Sequence, residues 1–316
     1  MIYIDFDAVH RLASVGSLVE PLRRAFASHA LTPERAHYDL STPQRPGTLL
    51  LMPAWRPDGD IGVKVATVFP DNAHQGLPSV NAAYLLLSGQ TGESRAYIDG
   101  RALTLVRTAA VSALAADLMA PQAPEVLLVV GTGALSRYFV EGHLAVRRYR
   151  SVLVWGRDPS KAAVVARDLA ARGWPVKAAA DLESAARSAD VISCVTLAGQ
   201  PLIQGAWLKA ECHLDLVGSF TPAMREVDDD CMRGAFIAVD TLTALKESGD
   251  LIEPLARGVI AQDRISLLGT LIESKSFVTR PQRTVFKSVG VAHADLAVAR
   301  HLTHICPAPP HSKARG

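Results

Sequence analysis

The sequence predicts an α/β chain in two parts, an α+β antiparallel sheet in the earlier part and a doubly wound parallel sheet in the later one. Three observations predict it. From residue 126 onward, short continuous apolar runs alternate with helical stretches, the pattern of parallel strands covered by helices on both faces. Before residue 100, four strand-like runs follow one another without an intervening helix, separated by segments containing Pro, Gly, Asp and Asn. The length of 316 residues exceeds what one hydrophobic core usually fills, so two domains are expected.

Taken in order, residues 17–29 carry Leu18, Leu22, Ala25 and Phe26 at helical spacing, with Pro21 early enough for a first turn. The strand-like runs are 48–55, 61–69, 79–87 and 93–98, rich in Val, Leu and Tyr, and residues 89–92 read as a hairpin turn. A helix over about 105–119 and a breaker segment at 120–125 precede the second pattern. Its strands are 126–130, 152–155, 191–195, 214–217 and 236–239. The tail 306–316, CPAPPHSKARG, is Pro-rich and polar and reads as disordered.

Apolar residues make up 49% and charged ones 20%, with a formal net charge of +2, a balance that suits a soluble globular protein and gives no electrostatic reason for a nucleic-acid partner. The N-terminus MIYIDFDAVHR has acids where a signal peptide needs a basic flank, and no run of 18 apolar residues occurs, so a cytoplasmic location without a membrane partner is expected. Cys194, Cys212, Cys231 and Cys306 are widely spaced, without a C-x-x-C pair or a His at ligand spacing, which predicts buried thiols and no metal.

The run 126–130 leads into Gly131-Thr132-Gly133-Ala134-Leu135-Ser136 and a helix. Glycines allow a tight turn and close approach of backbone to a pyrophosphate, whose charge meets free N–H groups at the helix start. Gly131, Gly133, Ala134 and Leu135 are therefore candidate cofactor contacts, with Ser136 as a small residue at the third glycine position. An ordinary strand-to-helix turn is the rival; the second strand one βαβ unit further on favours nucleotide binding. That strand ends in Gly156-Arg157-Asp158. Gly156 leaves space and removes the carboxylate that holds a ribose in NAD binders, and Arg157 can fork onto a 2′-phosphate, so NADP(H) is favoured over NAD(H). Asp158 before Pro159 suits a helix N-cap, with a displaced ribose ligand as its rival. Thr196 and Val217 complete the candidate cofactor set.

Several segments, from Arg45-Pro46-Gly47 and Leu51-Met52-Pro53-Ala54 through Gly62-Val63-Lys64, Gly76-Leu77-Pro78, Arg107-Thr108-Ala109-Ala110, Gly131-Thr132-Gly133 and Gly218 to Glu226, to Lys287-Ser288-Val289-Gly290, together resemble the ornithine cyclodeaminase/mu-crystallin family. The resemblance implies a substrate-binding and dimerisation domain over 1–120, a Rossmann NAD(P)-binding domain over 121–291, a terminal helix at 292–305 returning to the first, and a homodimer. It implies that Arg45 and Lys64 face a substrate carboxylate and that Arg107 completes a cationic pocket beside the nicotinamide. It further implies that Thr108 touches the cofactor phosphates and that Ser288 and Val289 line nicotinamide and substrate. Asn81 stands where cyclodeaminases tend to carry Thr, with a plain sheet-surface amide as the alternative. Lys64 is the strongest single signal, because it interrupts an alternating strand on the face shared with Gly62, Ala66 and Val68.

One departure chooses between reactions. Cyclodeaminases carry an Asp two residues after the first glycine of G-x-D-x-P and a Lys four residues beyond; this sequence reads Gly218-Ser219-Phe220-Thr221-Pro222-Ala223-Met224. Phe220 accepts no proton, and Asp228 to Asp230 lie too far along the chain to replace the missing base. The expected activity is NAD(P)H-dependent reduction of a small cyclic imino acid, Δ1-pyrroline-2-carboxylate or Δ1-piperideine-2-carboxylate, with Lys64 as proton donor and Phe220 packed on the ring or in the core. The alternatives are an ornithine cyclodeaminase, an alanine-dehydrogenase-like enzyme, and a non-catalytic NADPH-binding protein of crystallin type.

Overall fold

The computed structural model describes residues 1–28, 30–57, 59–275 and 282–307; from residue 308 on, the tail expected to be disordered lies outside the described residues. Internal contacts divide the chain into two units, Met1–Thr108 with the stretch from Val291, and Ala109–Gly290. The division falls inside the helix Gly100–Met119. That helix begins five residues before the expected position 105, because Asp99 caps it by accepting from the Ala102 N–H at 2.8 Å. By length and composition it is apolar enough to cross a membrane, although no uninterrupted apolar run marks it, and 89% of its most apolar window is buried inside the protein.

The first unit is a six-stranded sheet in the order β1-β6-β5-β4-β3-β2, with β1 at Ile2–Ile4, β2 at Ala36–Asp39, β3 at Thr48–Trp55, β4 at Ile61–Val68, β5 at Val80–Leu87 and β6 at Ser94–Asp99. It is mixed rather than purely antiparallel: β1 runs parallel to β6, and every other neighbour is antiparallel. The acids near the N-terminus have a local purpose, since Asp5 accepts from the Ala8 N–H at 2.7 Å and caps the helix Phe6–Leu12 that follows β1. The terminal helix Ala292–Ile305 packs on β3, β4 and β5 and buries Gly62, Lys64 and Ala66 of β4. The opposite face of the sheet leaves Val65 exposed and Leu49, Leu51, Val63 and Leu85 half-buried.

The second unit is an eight-stranded sheet of parallel strands in the order β13-β12-β14-β11-β10-β7-β8-β9. The strands are β7 Val126–Val130, β8 Ser151–Trp155, β9 Val176–Ala178, β10 Val191–Cys194, β11 His213–Leu216, β12 Phe236–Val239, β13 Ile265–Leu267 and β14 Thr284–Lys287. From β7 the chain steps outward to β8 and β9, then returns to the other side of β7 for β10 and β11. That reversal is the switch point at which doubly wound sheets open a crevice beyond their carboxyl ends. Because all eight strands are parallel, the residues that follow β7, β10, β11, β12 and β14 lie along one edge of the sheet. Cys194, Cys212 and Cys231 are buried free thiols in this unit, whereas Cys306 is only half-buried.

Candidate active site

The turn after β7 is shaped for close approach. Gly131 has φ of +129°, a conformation that L side chains rarely adopt, and a Cβ there would lie 2.9 Å from the Val195 carbonyl oxygen. Ser136 is fully buried at the start of the helix Ser136–Val146, and its hydroxyl donates to the Gly133 carbonyl at 2.7 Å, so the third position is tied to the turn. The backbone N–H groups of Gly133, Ala134 and Leu135 have no acceptor among the described residues. Three free donors at a helix start are what an anionic group needs.

At the end of β8, Gly156 does not leave a void: a Cβ there would meet Thr132 Cγ2 at 2.6 Å, so its missing side chain makes room for the β7 turn. Asp158 caps the helix Pro159–Ala170, accepting from the N–H of Ser160 at 2.9 Å and of Lys161 at 3.4 Å. The Ser160 hydroxyl and these amides hold its carboxyl below the usual range. Arg157 is exposed and its side chain has no partner among the described residues.

The loops after β10 and β11 are held by a carboxylate that the sequence did not single out for this purpose. Glu226, fully buried, accepts from Thr196 N–H at 2.8 Å and Thr196 Oγ1 at 2.9 Å, and from the N–H of Gly218 at 2.7 Å and Ser219 at 3.3 Å. Burial pushes its pKa up to about 7 against the pull of Lys287. Asp250 accepts from the Glu226 N–H at 2.8 Å and from Lys287 Nζ at 3.3 Å. Val217, next to this network, is buried. After β14, Asp240 accepts from the Ser288 hydroxyl at 2.7 Å and from the N–H groups of Val289 at 3.2 Å and Gly290 at 2.7 Å. Ser288 and Val289 therefore sit in a fixed loop, with the Ser288 hydroxyl proton committed to Asp240. Phe220 is half-buried and packs against this unit's apolar core. The three acids that follow are structural or remote: Asp228 caps the helix Asp229–Met232, Asp229 pairs with Arg225 at 2.7 Å and Arg257 at 3.0 Å, and Asp230 is exposed.

In the first unit, Lys64 is 3% exposed and its Nζ donates to Asp295 Oδ2 at 2.8 Å. Arg107, 5% exposed on the helix Gly100–Met119, donates through Nε to the other oxygen of Asp295, also at 2.8 Å. Its terminal nitrogens have no partner among the described residues. Burial pushes Lys64 down to about 8; Asp295 pulls it back up, while Arg107 and Arg35 push it lower. Burial opposes ionisation of Asp295, and the charges of Arg107 and Lys64 overcome it, holding the carboxyl below the usual range. Tyr84 stands directly opposite Lys64 in the β4–β5 register, its buried hydroxyl has no partner among the described residues, and burial raises its pKa well above the ordinary phenol value.

The remaining sequence candidates are scattered. Arg45 is exposed, with its guanidinium carbon 4.3 Å from the centre of the Phe69 ring. Thr108 is buried and its hydroxyl donates to the Thr104 carbonyl at 2.6 Å. Asn81 lies on the other face of the sheet. It pairs with Thr67 while Lys64 pairs with Tyr84, and an odd offset along a strand reverses the face, so Asn81 points away from Lys64. Its exposed amide donates to the Pro78 carbonyl at 3.3 Å, as a surface side chain does. Asp295 was missed, yet a signal existed: helical spacing places it on one stripe with Ala292, Ala299 and Leu302, an unpaired acid in an apolar face.

A parallel sheet with a glycine turn at its switch point, coupled in one chain to a mixed sheet holding a buried ion cluster, defines an α/β protein of the Rossmann class. The model of the ornithine cyclodeaminase/mu-crystallin family matches residues 4–305, and the chain belongs to that family. It is 35% identical over 305 residues to the Δ1-pyrroline-2-carboxylate reductase of Colwellia psychrerythraea, covering 94% of this chain and 96% of that protein. Against the ketimine reductase mu-crystallin of Mus musculus it is 31% identical over 296 residues, with 92% of each chain covered. Among solved structures it resembles that of Thermococcus litoralis Δ1-pyrroline-2-carboxylate reductase in complex with NADH and L-proline, with a TM-score of 0.91, 28% identity, and coverage of 96% of this chain and 97% of that one.

Proposed function

We propose that this chain reduces a small cyclic imino acid, Δ1-pyrroline-2-carboxylate or Δ1-piperideine-2-carboxylate, to proline or pipecolate with a reduced nicotinamide dinucleotide. The carrying observation is the buried Lys64–Asp295–Arg107 cluster, in which a proton donor poised near neutral pH and a guanidinium with an open edge share one carboxylate. The free edge of Arg107 matches a substrate carboxylate in a bidentate pair, with Arg45 as a second candidate for that charge. Lys64 then protonates the imine nitrogen, directly or through a water, which makes the neighbouring carbon electrophilic. A bound reduced nicotinamide supplies the hydride that this carbon accepts.

The residues present fit such a dinucleotide. The unpartnered amides of Gly133, Ala134 and Leu135 suit a pyrophosphate, and Gly131 lets the turn form. Thr108, Thr196 and Val217 complete the contacts we assign to it, and the loop fixed by Asp240 presents Ser288 and Val289. We favour NADP(H), because Asp158 is spent on a helix cap while Arg157 is exposed and unpaired, free to meet a 2′-phosphate. We also assign a second copy of the chain to the sheet face that leaves Val65 exposed; a monomer in sedimentation equilibrium would remove that assignment.

Cyclodeamination is disfavoured by Phe220, which stands where the cyclodeaminase pattern carries its base, and by the prior commitments of Asp228 and Asp229. The test is the loss of NADPH absorbance, with NADH in parallel, on adding freshly generated Δ1-pyrroline-2-carboxylate or Δ1-piperideine-2-carboxylate to the purified protein. Rapid oxidation favouring NADPH is the expected result. No oxidation, with proline and ammonia formed from ornithine and NAD, would overturn the reading.

A further inference from the structure

We infer that Asp295 is the positioning residue of the proposed reaction, its single carboxylate holding the ammonium of Lys64 and the guanidinium of Arg107 in one fixed arrangement. The inference rests on the functional reading above. Its basis is geometric: each oxygen of Asp295 takes one partner at 2.8 Å, and those partners lie 231 and 188 residues away in the sequence. Asp295 has no exposed surface, and Ala294, Leu296 and Val298 around it on the same helix are buried and apolar. An ionised carboxylate in such a place is costly unless paired, so its retention needs both cations. The arrangement also explains why Arg107 offers only its terminal edge to a ligand, since Nε is already used.

The charged and titratable groups around Lys64 act in a definite balance. Arg107 and Arg35 both lower its pKa. Tyr84, across the register on β5, has its pKa raised by burial and then by Asp295 and Asp60, so it stays a neutral phenol. His293, on the terminal helix, is pushed down to about 4 by burial and is neutral in the working range. Met52, the register neighbour on β3, has no charge. Asp295 is thus the only group among these that favours the charged lysine. A proton donor works while protonated, so activity is present below the pKa of Lys64 and lost as pH rises through it.

The test is the pH profile of kcat/KM for the imino acid, in wild type and in Asp295→Asn. Wild type is expected to lose activity as pH rises through about 8. In Asp295→Asn the loss should move down by about one pH unit or more, and KM should rise about tenfold as Arg107 loses its anchor. A merely structural role lowers the amount of folded enzyme and leaves the position of that limb alone. Dinucleotide affinity, measured by fluorescence titration, serves as the folding control. Should Asp295→Asn fail to fold, Arg107→Gln gives the opposite sign: Asp295 then serves Lys64 alone, a cation is removed, and the limb moves above its wild-type position. A limb that stays put in the folded variant overturns the inference. Lys64→Met separates this failure from that of the functional reading: full imine reduction by Lys64→Met sinks the reading itself, whereas a dead Lys64→Met beside an unshifted Asp295→Asn sinks only the role of Asp295.

Discussion

Each unit buries one lysine against carboxylate, and the two clusters are composed in opposite ways. Around Lys64 there are two cations to one carboxylate, and one guanidinium edge has no partner among the described residues. Around Lys287 there are two carboxylates to one cation, and their oxygens are spent on the protein's own chain: on the N–H groups of Thr196, Gly218 and Ser219 through Glu226, and on those of Glu226 and Val227 through Asp250. The role of a buried charge follows from how its partners are used. Where the donors and acceptors are saturated internally, the charge fixes loops; where a donor edge stays open, the charge is available to a ligand.

Removing each lysine in turn separates the two clusters. Lys64→Met is expected to lower imine turnover by about 10²–10⁴-fold, the usual worth of a positioned general acid, while dinucleotide affinity by fluorescence titration stays at the wild-type value. Lys287→Met should do the reverse. It leaves two buried carboxylates uncompensated, at a cost of about 3–5 kcal/mol in urea unfolding, with turnover per folded molecule little changed. A pH dependence follows from Glu226. Its folded pKa of about 7 lies above the ordinary 4.5, so its contribution to stability is complete below 4.5 and is lost as pH rises through 7. Lys287 lowers that value, so removing it pushes Glu226 higher and stretches the loss to higher pH. The deficit of Lys287→Met should therefore be larger at pH 8 than at pH 5, and equal deficits would show that Lys287 and Glu226 are not coupled.

What the sequence made legible follows the same division. Runs with a clear period were found within a residue or two, as for β3, β7 and β12, because alternation or continuous burial leaves a mark in composition. The strands β1, β2, β9 and β13 have three or four residues each, too few for a period to show. The strand β14 was hidden for another reason: it lies inside the sheet between β12 and β11 and ends on Lys287, and a lysine argues against a buried strand. Lys64 was legible because it interrupts an alternating strand, and Arg107 only through its place in a family motif. The carboxylates Asp295, Glu226, Asp250 and Asp240 were not, because an acid buried by its partners carries the same letter as one facing water. Only tertiary pairing distinguishes them, and those partners are far away in sequence.

Arg157 offers a smaller effect that sharpens the same contrast. It is exposed and has no partner among the described residues, so Arg157→Gln should leave stability unchanged within about 0.5 kcal/mol. It should also cost about tenfold in the preference for NADPH over NADH, the worth of one exposed charged contact to a phosphate. An unchanged preference in steady-state kinetics with both cofactors would mean that Arg157 is only a solvated side chain.

The smallest effect is expected at Phe220. It stands where the cyclodeaminase pattern carries its Asp, yet its side chain packs half-buried on the apolar core of a unit whose loops are otherwise fixed by saturated carboxylates. If the ring is core, Phe220→Leu keeps most of the apolar contact, costs about 1 kcal/mol in unfolding experiments, and leaves KM for the imino acid alone. If the ring also packs against the substrate, the same variant raises KM several-fold while stability changes as before. Measuring both quantities on one preparation decides the matter, because loss of packing shifts the unfolding midpoint in either case and only a substrate contact moves KM.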